Sequence, residues 1–316
     1  MELLSCFSHP CLSAIASSKN QQIPLIYEPT KLPMKSQLQL TGVILGSLLS
    51  VSLQACNPLQ ASNQGNSNSS QKLVITGSST VAPLATEIAK RYESQNPQVR
   101  IDVQTGGSSR GIADVRQNVA DIGMVSRAAK PAEKDLQFHT IAKDGVVIIV
   151  HRDNPIQKLT AQQITAIYTG QISSWQEVGG KPAAITVVNK AEGRSTLELF
   201  LEYFQLKSSA IQADVVIGDN KQGIKTVAGN PLAIGYVSVG AAAVNIIQGT
   251  PIKMLPLEGI QANAQTVSNG SFPLSRPLNL VTQGTLNPQQ QKFIDFAQSS
   301  QVKDIVEEQA LVPPQK

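Results

Sequence analysis

The sequence predicts an α/β protein built on mainly parallel sheets. From residue 72 onward, short runs rich in Val, Ile and Leu alternate with stretches of helical spacing. The turns between a strand and the following helix are rich in Gly, Ser and Thr, as in "TGSSTVAPL" at 76–84. The last cysteine is Cys56, so the region that follows has no disulfide framework and must be held by its own core.

"KLVIT" starts the pattern, followed by a helix over 83–95 that stops at Asn96-Pro97. "VRIDVQT" (99–105) is a strand, Gly111 to Asn118 a helix, and "ADIGMVS" (120–126) a third strand. The apolar run 145–153 is long enough to cross between two lobes. Beyond it the rhythm repeats: a helix in "LTAQQITAIYTG", a strand at 183–190, an amphipathic helix at 195–204, a helix in "NKQGIKTVAG" and a strand in "LAIGYVSV". The polar stretch "IQANAQTVSNGSFP" reads as a loop, "LNLVT" as a strand and 288–309 as closing helices. "ADIGMVS" and "LAIGYVS" share an Ile-Gly-x-Val-Ser frame, an echo that suggests two similarly built lobes.

The region before residue 72 is read differently. Met34-Lys35 precedes an uncharged apolar run, Leu38 to Leu53, and then Gln54-Ala55-Cys56. That is the layout of an export signal, and the run is too short and too interrupted to span a bilayer. Residues 1–55 are therefore expected to be a signal region whose true start is Met34. Leu53-Gln54-Ala55-Cys56 is similar to a bacterial lipobox, which makes Cys56 the acylated first residue and a lipid anchor to the membrane. Gln54 is unusual in its place, and an ordinary cleaved signal is the alternative. The Ser/Asn/Gln/Gly composition of 56–71 cannot bury a core and is expected to be a flexible tether.

Composition narrows the function. A net charge of +4 without any Lys/Arg run carries no nucleic-acid footprint. Aromatic residues make up 4%, few for a sugar cleft, which leans toward a small, highly charged ligand. Three strand-to-helix junctions share one design: Ser78, Ser79 and Thr80; Ser108, Ser109 and Arg110; and Arg194 with Ser195. Such junctions present free backbone N–H groups at a helix N-terminus, where the macrodipole adds positive charge, and hydroxyls add donors. A Ser there is often only a helix cap, but three together, two of them with an arginine, point to an oxyanion site. Gly107-Ser108-Ser109-Arg110-Gly111 also fits G-x-S-x-G, which raises a secreted serine hydrolase with Ser109 as nucleophile. Against that, the histidines after Cys56 are His139 and His151, and none follows 151. No Walker loop and no metal-ligand spacing is present, so neither metal nor cofactor is expected.

With these motifs, the chain resembles the phosphate-binding proteins of bacterial ABC importers over nearly all of 72–316. The resemblance rests on Gly77 to Leu84, Gly106 to Ile112, "ADIGMVSR", "IYTGQISSWQEVGG" (167–180) and "IGYVS" (234–238). It implies a type II periplasmic binding protein fold: two lobes, each a mixed, mainly parallel sheet flanked by helices, with the ligand in the cleft between. The first lobe would hold 72–149 and 246–316, the second 150–245. The resemblance also implies a monomeric, non-enzymatic receptor, periplasmic or at the cell surface, that hands phosphate to a permease. It adds Ser126, Arg127 and Thr196 to the expected ligand set.

Two departures stand out. Many relatives have an aspartate where Arg127 stands, and that acid accepts a proton-bearing phosphate oxygen, so as to reject sulfate. The run Lys190-Ala191-Glu192-Gly193-Arg194-Ser195-Thr196 has Lys190 in place of the usual arginine and Arg194 in place of a serine. Arg194, a planar fork of donors, is expected to take over the arginine's work. Glu192 is the candidate replacement acceptor, and the alternative is a site for sulfate or another tetrahedral oxyanion. Arg127 has a third reading, exposed to solvent or paired with Glu192.

Overall fold

The computed structural model describes residues 71–314. Residues 1–70, with the signal region, Cys56 and nearly all of the tether, lie outside the described residues. The strands are β1 (Gln71–Gly77), β2 (Val99–Thr105), β3 (Ile122–Val125), β4 (Leu136–His151), β5 (Thr186–Lys190), β6 (Val215–Ile217), β7 (Ala233–Ser238), β8 (Ile252–Met254) and β9 (Ser275–Gln283). The helices are α1 (Ala82–Gln95), α2 (Ser108–Arg116), α3 (Ala161–Tyr168), α4 (Ser195–Tyr203), α5 (Asn220–Ala228), α6 (Val239–Ile247), α7 (Ala264–Ser268), α8 (Pro288–Ala297) and α9 (Lys303–Glu308).

Pairing runs β2-β1-β3-β9-β4-β7-β5-β6, with β8 also on β4. β1, β2 and β3 are parallel, as are β5, β6 and β7, whereas β9 runs antiparallel to β3 and to β4. The two halves have the same plan. The first is β2-β1-β3-β9-β4, and the second is β6-β5-β7-β4-β8. β4 belongs to both: Leu136 to Gly145 pairs with β9, and Val146 to Val150 pairs with β7. The chain crosses between halves at this point and crosses back where Ser275 pairs with Gly145.

The buried side chains separate accordingly. One core gathers Leu73, Ile75, Ile88, Met124, Leu278 and Phe293 among others; a second gathers Val147 to Val150, Trp175, Phe200 and Tyr236. The second core also takes Ile252, Leu255, Leu257, Val267, Phe272 and Leu274. The return to the first lobe therefore comes near 275 and not at 246, and the outward crossing falls near 145 and not at 149. Ile252, Leu255, Leu257, Val267, Phe272 and Leu274 carry 246–274 into the second core, so the stretch stays with the second lobe.

The local reasons for the junctions are legible. β1 ends at Gly77, whose φ is +132° and whose added Cβ would collide with the Met124 carbonyl oxygen and lie 2.9 Å from its nitrogen. Only glycine lets β1 turn this tightly against β3. α1 then starts with Pro at its first turn, where the missing N–H costs nothing. α2 begins at Ser108, three residues earlier than the sequence predicts, so Ser108 and Ser109 belong to its first turn.

Gly77→Ala is expected to lower unfolding stability by at least about 2 kcal/mol, from backbone strain and the collision with β3. Urea denaturation of the two proteins checks it.

Candidate oxyanion site

The centre of the site is Arg276, the second residue of β9, 3% exposed. Its register partner on β4 is Asp144, 2% exposed, so the two face each other where the chain crosses between lobes. Arg276 Nε and Nη2 both donate to Asp144 Oδ2, at 3.2 and 2.9 Å. Asp144 Oδ1 accepts from Ser238 Oγ at 3.0 Å and from the Gly240 N–H at 3.2 Å. With four bonds accepted, this carboxylate is fully used in orienting the guanidinium.

The remaining guanidinium donors point at hydroxyls from both lobes. Nη1 donates to Thr196 Oγ1 at 3.0 Å and lies 3.4 Å from Ser126 Oγ; Nη2 lies 3.3 Å from Thr80 Oγ1. Ser78 Oγ donates to Ser126 Oγ at 3.0 Å, and Ser108 Oγ accepts from the Ser126 N–H at 3.2 Å. From the second lobe, Asn220 Nδ2 donates to Thr80 Oγ1 at 3.1 Å. Lys190 Nζ donates to Asn220 Oδ1 at 3.1 Å. All of these side chains are buried.

The two lobes supply these groups from matching places. Ser78 and Thr80 follow β1, and Ser195 and Thr196 follow the equivalent β5. Ser108 opens α2 and Asn220 opens α5. Ser126 follows β3, and Ser238 ends β7, the strand whose Ile-Gly-x-Val-Ser frame echoes β3. Neither α2 nor α4 has a side-chain cap on its N-terminus; the Ser109 N–H of α2 donates to the Gly193 carbonyl at 3.3 Å and the Leu197 N–H of α4 to the Arg194 carbonyl at 2.9 Å, which leaves the Ser108, Ser195 and Thr196 N–H groups for a ligand. The hydroxyl of Ser195, at the first position of α4 and 2% exposed, has no hydrogen-bond partner. A buried polar atom without a partner is costly, and an anion's oxygen would satisfy it.

The structure brings Ser78, Thr80, Ser108, Ser126, Ser195 and Thr196 to this centre or its edge. Ser79 is half-buried beside it, and none of its side-chain atoms joins the network. Arg194 sits at the start of α4 between lobes: a Cβ on Gly107 would come within 3.0 Å of its Cδ, and its buried Nε has no hydrogen-bond partner. Arg110 lies on the exposed face of α2 and pairs with Asp114 at 3.2 Å. Its place three positions into the helix turns it outward.

Arg127 is buried but committed elsewhere. It donates to Glu133 at 2.8 and 2.6 Å and lies 3.0 Å from Glu198. Burial works against its charge, but the Glu133 hydrogen bonds and the Glu198 charge outweigh it and hold the guanidinium above its ordinary value. The same contact and the Lys130 N–H hold the Glu133 carboxyl below its usual range against its own burial. The acid partners are thus Glu133 and Glu198, not Glu192. Glu192 is exposed and accepts from Ser208, which removes it as the replacement acceptor.

Ser109 is exposed and its hydroxyl donates to Glu198 at 3.4 Å. The described histidines are engaged elsewhere, His139 with Thr282 and His151 with the Asp153 N–H. Among the described residues no group of His, Cys, Asp or Glu has the geometry to hold a metal.

Sequence reasoning missed Arg276, Asp144, Asn220 and Ser238. Asn220 and Ser238 were within reach through the lobe echo, because they stand where Ser108 and Ser126 stand in the first lobe. Lys190 was seen only as a replaced arginine. Burial, and to a lesser degree the charges of Arg276 and Arg194, pull its ammonium down from 10.5 to about 7, with Asp219 opposing. Docking of an anion would favour the charged form again.

The "PBP superfamily domain" matches residues 61–301. A crystal structure of a putative phosphate ABC transporter substrate-binding protein with bound phosphate, from Clostridium perfringens, is 32% identical at a TM-score of 0.72. It aligns over 78% of this chain and 100% of its own. The chain belongs to the PBP superfamily, among its phosphate-binding proteins. An ABC-type phosphate transport receptor from Vibrio cholerae is 29% identical with a TM-score of 0.62, over 77% of this chain and 100% of that one. The phosphate-binding protein PstS of Bacillus subtilis is 29% identical over 258 residues, 80% of this chain and 84% of the relative. The two-lobed plan is therefore the family's, and in this chain the crossings between lobes fall within β4 and at the start of β9.

Lys190 gives this family member a pH dependence of its own. Between about 7 and 10.5 the unfolded chain holds the lysine proton that the folded protein does not. Stability contributed by this group therefore rises with pH across that window and is lost as pH falls through 7. Thermal unfolding of the ligand-free protein at pH 7 and pH 9 should show the rise, and Lys190→Met should abolish it.

Proposed function

We propose that the protein captures inorganic phosphate in the cleft between its lobes and presents it to an ABC permease, without covalent chemistry. The observation that carries this reading is the buried Arg276, with donors aimed at Thr196 from one lobe and Thr80 from the other. A tetrahedral anion at this point would engage both lobes together and favour the closed form. Arg276 and Lys190 would provide charge, Ser78, Thr80, Ser126, Ser195 and Thr196 hydroxyls, and α2 and α4 backbone donors. Arg194 would cover the ligand from the mouth. Arg110 and Arg127 are left out of this ligand set, and Ser79, Ser108 and Ser109 would line or buttress it. The relatives' own names support phosphate as the anion.

The acylated Cys56 and the tether complete the reading: a monomeric receptor held at the outer face of a bacterial membrane. Among the described residues no helix is long and apolar enough to cross a membrane. Mass spectrometry of the mature N-terminus should show a diacylglyceryl cysteine, and a free cysteine or a different first residue would remove the anchor.

A second reading, sulfate or another tetrahedral oxyanion, is favoured by one feature. Asp144 is the carboxylate at the centre, and its bonds are already taken, so a phosphate proton would have only hydroxyl acceptors. Calorimetric titration of the mature, ligand-stripped protein with phosphate and separately with sulfate decides between them. Phosphate is expected to bind much more tightly than sulfate, and sulfate binding as well as phosphate would transfer the assignment. Thr196→Val is expected to weaken phosphate binding about tenfold, matching the ~1.5 kcal/mol of a hydrogen bond to a charged group.

A further inference from the structure

We propose that Glu198 is the catch of an interlobe latch, closing on Arg127, Lys130 and Ser109 and thereby setting how long the protein holds its anion. The role in anion release rests on the binding reading above; the latch itself rests on contacts across the lobe boundary. Glu198 lies in the first turn of α4, in the second lobe. Its Oε2 is 2.6 Å from Lys130 Nζ and 3.0 Å from Arg127 Nε, and its Oε1 accepts from Ser109 Oγ at 3.4 Å. Those three partners all belong to the first lobe. One carboxylate thus gathers every polar side-chain contact that α4 makes to them.

The first-lobe half is held ready. Arg127 Nη1 and Nη2 are occupied by Glu133, Nη1 also donates to the Ala128 carbonyl at 2.9 Å, and Asn279 grips the Arg127 carbonyl at 2.8 Å. The Lys130 N–H donates to Glu133 at 2.8 Å, tying the loop to the same acid. What remains to Arg127 is Nε, which faces Glu198 Oε2 as an ion pair at 3.0 Å without hydrogen-bond geometry. Separation of the lobes would break all three Glu198 contacts and leave Arg127–Glu133 whole. The latch therefore stabilises only the closed state.

Burial decides that it matters. Exposed ion pairs contribute little, but the Arg127 side chain is 6% exposed and that of Glu198 24%. Without Glu198, the two cations at this edge would face the single acid Glu133. The Ser109 N–H also donates to the Gly193 carbonyl at 3.3 Å, a neighbouring contact that brings the lobes to the same separation. A contact made only after closure acts on dissociation more than on association.

The test uses the protein's lack of cysteine after Cys56. Lys134→Cys and Lys207→Cys, both at exposed positions in different lobes, would carry spin labels for an interlobe distance distribution. Stopped-flow measurement gives phosphate association and release. Glu198→Gln should speed release at least fivefold, leave association within twofold and enlarge the long-distance population. Lys130→Met, which removes one cation and leaves Arg127 facing Glu198, should speed release at least twofold, and combined with Glu198→Gln it should add little to the effect of Glu198→Gln alone. Release and distances unchanged in Glu198→Gln would overturn the latch, as would a double variant whose acceleration is the product of the two single ones. If the parent binds no phosphate, the binding reading falls, and the ligand-free distances still judge the latch: a population identical in parent and Glu198→Gln overturns it.

Discussion

The ion pair of Arg276 with Asp144 fixes where the two lobes and their hydroxyls converge. Both residues are register partners on the two strands that connect the lobes, so the hinge and the ligand centre are one place. Burying such a pair is costly unless every remaining donor and acceptor is matched. Asp144 is matched by Ser238 and Gly240, and Arg276 by hydroxyls delivered from three loops. The requirement runs outward from there. β1 must turn sharply at Gly77 to deliver Ser78 and Thr80, β3 must end at Ser126, and β5 must lead directly into α4 to deliver Thr196.

The two lobes answer this requirement with the same plan used twice. A central strand, its neighbour and a third strand each end at the cleft and hand a small polar residue to it. Carboxyl ends of strands and amino ends of helices are the natural place for an anion in such sheets. The charge there is supplied by one arginine with a fixed counter-ion and by a lysine whose proton is loosely held in the ligand-free fold. A buried lysine near neutrality is affordable in this position because Asn220 gives it an acceptor and Asp219 lies close. The arginines at the periphery have other tasks: Arg110 pairs along its own helix, and Arg127 reaches across the boundary.

Much of this was legible from the residues. β1 to β3, α1, the strand-to-helix hydroxyls and the helix starting at Ser195 follow from alternation and from Gly/Ser punctuation. What escaped has physical causes. β4 begins at Leu136, because "LQFHTIAKD" alternates polar and apolar residues with no strong apolar run. β9 begins at Ser275, three residues before "LNLVT", so Arg276 was hidden in what reads as a loop with a proline behind it. α6, β6 and β8 are short or uniformly apolar and carry no clear period. Arg276 and Asp144 meet over a separation of 132 residues, and only the β4–β9 register brings them together. Spacing in the sequence carries no trace of that register. Glu198 reaches Arg127 from the other lobe and is hidden in the same way, whereas Glu133 lies six residues away and is brought back by the turn at Pro131; both displace Glu192 as partners of Arg127.

A tetrahedral anion held against Arg276 between the lobes can be located by an anomalous scatterer of the same shape. Crystals of the mature protein grown with arsenate, with anomalous data collected at the arsenic edge, test it most directly. A single arsenic peak is expected within hydrogen-bonding reach of Arg276, Thr80, Ser126 and Thr196. A peak confined to another part of the surface, or none in crystals whose protein binds arsenate in solution, would contradict it.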